Sequence, residues 1–94
     1  MKYTVWHADT MVSNFDIENP ANFPDGFRKV AIVECEGLED VFRITNHIDH
    51  SWLTNPEVLW HVPTSRSTSV GDVVEDENER LHLCDICGWR EFVA

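Results

Sequence analysis

Residues 66–92 read R-S-T-S-V-G-D-V-V-E-D-E-N-E-R-L-H-L-C-D-I-C-G-W-R-E-F, and the fold turns on this stretch. Its apolar runs, Val70 to Val74 and Leu81 to Cys84, are short and rich in β-branched or strand-compatible residues. An acidic turn separates them, and Gly88-Trp89 opens a third run that ends in Phe92-Val93. Three such runs joined by short turns predict a β-meander that supplies most of the scaffold.

Working outward, residues 3–7 (Y-T-V-W-H) alternate, with Tyr3, Val5 and His7 on one face and Thr4 and Trp6 on the other, which predicts a first strand. Residues 27–35 (F-R-K-V-A-I-V-E-C) carry four consecutive apolar positions, the pattern of a central strand covered on both faces. Residues 58–62 (V-L-W-H-V) predict another, with Val58, Trp60 and Val62 inward and Pro63 ending it. Between residues 9 and 25 periodicity is lost and turn formers dominate. Phe15, Ile17 and Phe23 recur often enough to pin this long loop to the body.

One helix is expected, over residues 38–48. On a 3.6-residue period Leu38, Val41, Phe42, Ile44, Thr45 and Ile48 fall in an arc of roughly 160°, with Val41 and Phe42 central. Glu39 and Asp40 occupy its first turn, where the helix dipole favours negative charge. The expected fold is α+β: a single domain over residues 1–94, with a curved, mostly antiparallel sheet of five to six strands and this helix packed on one face.

Three segments resemble a known family: L-E-D-V-F-R-I-T-N-H-I-D (38–49), R-S-T-S-V-G-D-V-V (66–74) and C-x-x-x-G-W-x-E-F (84–92). Together they are similar to the YodL-like small domains of bacteria, plasmids and bacteriophages. The resemblance covers about the last two-thirds of the chain, and His50 and Cys87 depart from its pattern. It implies a small mixed fold and a mobile-genome habitat, and no reaction.

Charge narrows the function classes. Seven Lys and Arg against 17 Asp and Glu give a net charge of −10, spread evenly between the two halves. No basic patch exists in the sequence, so nucleic acid and anionic membrane surfaces are not expected partners. Attraction to a basic surface on another protein is expected, and the resemblance implies that this is a host protein. Asp72, Glu75, Asp76, Glu77 and Glu79, together with Trp89, are the candidate partner-binding residues. Carboxylates in that density present charge much as phosphates do. Three cysteines and no signal-peptide pattern point to the cytoplasm.

Two chemical motifs compete with that reading. Cys84-Asp-Ile-Cys87-Gly88 has the form of a zinc knuckle, and His47 and His50 have the spacing to add two ligands; Cys35, His61 and His82 are other donors. With no second C-x-x-C, no metal is expected, and a zinc-stabilised module is the alternative. The T-S-R-S-T-S loop offers Arg66 and Ser67 for an anion, although the pairing of Arg66 with a nearby carboxylate is the favoured reading. No spacing is diagnostic of a nucleophile or an acid–base pair, so no catalytic residue is assigned and a small enzyme ranks last. The expected protein is a small acidic interaction module that binds and modulates a host protein.

Overall fold

The computed structural model describes residues 1–10, 18–46 and 51–93. The alternation of residues 2–8 makes β1, Lys2–Ala8, in which Tyr3, Val5 and His7 are all buried on one face. It pairs antiparallel with β2, Phe27–Glu34, and with β4, Val73–Glu75. β3, Val58–His61, adds to the far side of β2. The meander read from residues 66–92 is present as β4, β5 (Leu81–Asp85) and β6 (Gly88–Phe92), each antiparallel to the next. The result is one six-stranded antiparallel sheet in the order β3-β2-β1-β4-β5-β6. β2 is flanked on both sides, as its apolar run requires, but β1 and β4 form the middle of the sheet.

The helix α1 is Leu38–Thr45, with Asn46 as its C-cap. It is shorter than expected; the remaining predicted positions His47 and Ile48 lie outside the described residues. Asn46 leaves helical geometry and its side-chain amide donates to the Thr68 carbonyl at 2.6 Å, which ties the helix end to the hydroxyl-rich loop. A short 3-10 turn follows at Trp52–Thr54 and buries Trp52 and Leu53.

Each face of the sheet has its own apolar cluster. Under α1, Val41 and Ile44 meet Tyr3, Val5, Val30, Ala31, Val33, Val74, Trp52 and Leu53. On the opposite face Val73, Leu83 and Phe92 pack with Trp6, Phe23, Phe27 and Leu81. Phe23 anchors the 18–26 loop there, edge-on to Trp6 at 5.1 Å and 5.3 Å from Phe27.

Two expected core aromatics are not in the core. Phe42 is 37% exposed, because the core takes up Val41, Ile44 and Thr45 fully and Leu38 in part, and leaves the Phe42 ring at the border of the arc. Trp60 is 43% exposed: it pairs with Ile32 on the face away from α1, at the edge of the sheet, where Lys29 lies over its ring at 5.3 Å. Val58 and Val62, on the other face, do pack against the core.

Candidate functional site

The hydroxyl-rich loop folds around a carboxylate. Asp72 is 0% exposed, which rules it out as a partner-binding residue. Its Oδ2 accepts from Arg66 Nη1 at 2.7 Å and from the Ser69 amide at 2.8 Å; its Oδ1 accepts from Arg66 Nη2 at 2.8 Å and the Ala8 amide at 2.9 Å. This is a bidentate, charge-assisted pair of the strong kind. Arg66 also donates to the carbonyls of Ser67 and Ala8, so its guanidinium is committed within the fold. The pairing of Arg66 with a carboxylate was the favoured reading of the sequence, and the anion site at Arg66 and Ser67 has no free guanidinium to build on.

His7 sits beneath this clasp, 1% exposed. Ser65 Oγ lies 3.1 Å from its Nδ1 and Thr68 Oγ1 lies 3.0 Å from its Nε2, with Asp72 Oδ2 3.8 Å away. Burial disfavours the imidazolium and, with help from Arg66 and Arg28, outweighs the attraction of Asp72, lowering the pKa from 6.5 to about 4. The neutral ring thus has one hydroxyl neighbour at each nitrogen. A serine beside a histidine is the start of a nucleophile–base pair. Here, however, the base is buried and weak. Neither the large cleft described below nor a smaller one of about 220 Å³ beside Gly26 and Gly71 includes His7 or Ser65. The contact is best read as packing chemistry.

The acidic turn is also more structural than its composition suggests. Asp76 Oδ1 accepts from the amides of Asn78 at 2.8 Å and Arg80 at 3.0 Å, while Oδ2 meets His82 Nε2 at 2.9 Å. Burial alone would raise the Asp76 pKa; the hydrogen bonds from His82, Arg80 and Asn78 outweigh it and hold the carboxyl below its ordinary range. Glu75 accepts from the Trp6 indole at 3.3 Å, and Glu77 from the Lys2 amide. Of the five acidic candidates, Glu77 and Glu79 alone are exposed.

The open feature of the protein lies elsewhere. A cleft of about 920 Å³ runs between the first turns of α1 and the β5–β6 hairpin. Leu38 and Phe42 form one wall; Cys84, Trp89, Val70 and Ile86 supply the floor and the other side. Glu36, Glu39, Asp40 and Asp85 also line it, and among the described residues no Lys or Arg does. Asp40 pairs with Arg43 at 3.6 Å and Asp85 with Arg90 at 3.1 Å, both near the surface, whereas Glu36 and Glu39 have no cationic partner among the described residues. Trp89, a candidate from the sequence, is in this cleft and half-buried.

Sequence reasoning missed Leu38, Phe42 and Ile86 as site residues. Two signals were available: an apolar arc wider than one core-facing stripe needs, and an isoleucine in the short link between the 81–84 and 89–93 runs, which the structure places in a two-residue hairpin turn at 61% exposure. The hairpin then reverses through Gly88, whose φ of 124° disfavours any side chain.

The two knuckle cysteines are unlike. Cys84 is 4% exposed and burial pushes its thiol pKa up to about 11, while Cys87 is exposed. Among the described residues no group of three or more His, Cys, Asp or Glu has metal-binding geometry. His47 and His50 lie outside the described residues. Among the described residues no helix is long and apolar enough to cross a membrane.

No protein-family model matches the sequence, and no curated protein or solved structure matches it either.

Proposed function

We propose that this chain is a non-catalytic interaction protein whose cleft between α1 and the β5–β6 hairpin receives a basic, apolar-anchored segment of another protein. The observation that carries the reading is the composition of the cleft. Large apolar side chains, Phe42 at 37% and Ile86 at 61% exposure among them, sit beside four carboxylates, of which Glu36 and Glu39 have no cationic partner among the described residues. Contiguous apolar surface rimmed by polar groups marks an interaction site. A net charge of −10 adds long-range attraction for a basic partner and speeds its encounter.

The resemblance to YodL-like domains supports a host protein in the cytoplasm as the partner and a plasmid or phage as the carrier. Modulation follows if the captured segment belongs to the partner's working surface. Glu77 and Glu79 extend the acidic field beyond the cleft, as a nucleic-acid-like surface would require; Asp72 and Asp76 are spent on internal bonds.

The test is affinity capture from a bacterial lysate with the native chain and with a Glu36→Gln, Glu39→Gln, Phe42→Ser variant. A protein retained by the native chain at low salt, weakened by salt and lost with the variant supports the reading. Equal retention by both chains contradicts it.

A further inference from the structure

Among the described residues, the sheet is wider than its helical layer. Six strands spaced ~4.8 Å apart span about 24 Å, whereas one helix with its side chains covers about 10–12 Å. α1 is placed over one part of the sheet: among the described residues the buried cluster beneath it draws on β1, β2 and β4, and from β5 and β6 only the half-buried Trp89 packs against it. On that same face β5 and β6 present His82, Cys84, Trp89 and Glu91, paired as His82 with Glu91 and Cys84 with Trp89. The opposite face of these strands is covered, since Leu83 and Phe92 are buried there. Among the described residues the cleft is therefore a part of the helical layer that α1 does not fill, walled by Leu38, which also touches the core, and by Phe42, which the core leaves exposed.

We infer that the occupant of this cleft is an amphipathic basic helix of the partner protein, packing beside α1 to complete the layer. This inference rests on the docking reading above and specifies its ligand. Two turns of helix about 10 Å across and ~10.8 Å long sweep roughly 850 Å³, close to the cleft's volume of about 920 Å³. Leu38 and Phe42, four residues apart on α1, present a ridge of the kind that interlocks with a neighbouring helix. The matching ligand has apolar residues at i, i+3 or i+4 and i+7, with Lys or Arg flanking that stripe to face Glu36 and Glu39. A second copy of this chain does not fit, because its α1 begins with Glu39 and Asp40 and each copy carries a charge of −10.

Two synthetic 16-residue peptides of identical Leu, Lys, Arg and Gln composition test it, one patterned on the helical period and one strictly alternating. Fluorescence anisotropy reads their binding to the native chain and to Ile86→Ser, an exposed position whose replacement leaves the core intact. Circular dichroism reads any helix gained on mixing. The helical-period peptide is expected to bind, to gain helicity, to lose about tenfold in affinity with Ile86→Ser, and to show a weaker salt dependence with Glu36→Gln plus Glu39→Gln. Equal or tighter binding of the alternating peptide without helix gain overturns the helix inference and leaves the docking reading standing. Binding of both peptides that ignores Ile86→Ser and Phe42→Ser, or no binding at all, overturns both.

Discussion

Replacing Asp72 by asparagine tests whether the 64–72 loop is held by its buried carboxylate. The two oxygens of Asp72 accept four hydrogen bonds, from Arg66 Nη1 and Nη2 and from the amides of Ser69 and Ala8. Asparagine keeps the shape, removes the charge and turns one acceptor into a donor that faces N–H groups. Breaking a buried ion pair from one side costs about 3–5 kcal/mol. The Arg66 side chain is 35% exposed, so water recovers part of its solvation and the lower end, about 3 kcal/mol, is expected. A domain of this size has roughly 5–14 kcal/mol of total stability, so the loss is a large fraction of it. Urea unfolding followed by circular dichroism reads the effect: at a slope of about 1.5 kcal/mol/M the midpoint falls by about 2 M. Glu18→Gln, at an exposed carboxylate, is the control and stays within about 0.5 kcal/mol of the native chain. If Asp72→Asn shifts the midpoint no more than Glu18→Gln, the loop is not held by this clasp and the reasoning is wrong.

Four further outcomes are expected. His7 titrates at about 4 in the fold against 6.5 when unfolded, so between those pH values the unfolded chain binds a proton that the folded chain does not; stability falls as pH drops through that window, by about 3 kcal/mol in full, and His7→Gln flattens the slope. Ile44→Ala, at a position 1% exposed, costs about 2–5 kcal/mol, whereas Phe42→Ala costs nearer 1 kcal/mol because the ring borders the cleft; equal denaturation midpoints contradict the packing described. Asp76→Ala costs about 1–2 kcal/mol through three lost hydrogen bonds, and a neutral result measured by thermal melting means that the turn holds itself. Elemental analysis after dialysis against a weak chelator finds no stoichiometric zinc, and a full equivalent lost in Cys84→Ser reverses that.

The sheet was legible because alternation is a local signal: Tyr3, Val5 and His7 face inward as their period of two requires, and the 66–92 meander pairs strand to neighbouring strand. Helical period gives direction without giving a neighbour. It places Val41, Phe42 and Ile44 on one arc and is silent on where the underlying core stops, so Phe42 reads as core when it borders an opening. Trp60 fails for a related reason, since an alternating edge strand does not reveal which of its faces is covered. Acidic composition misled more. Asp72 and Asp76 stand in one charged run; the Arg66–carboxylate pairing was legible, but that the carboxylate is Asp72, buried against the Ala8 amide of another strand, and that Asp76 is tied to His82, follow from strand pairing. The cleft is the least legible feature of all, because it arises from a helix too narrow for its sheet.

Amide chemical-shift mapping of the isotope-labelled chain, titrated with the helical-period basic peptide, tests the docking reading most directly. The account predicts perturbations concentrated in residues 36–42 and 84–89, with the indole of Trp89 among the largest. Shifts confined to the 76–80 turn or to the exposed Leu59 and Trp60 of the edge strand, with the cleft unmoved, contradict it.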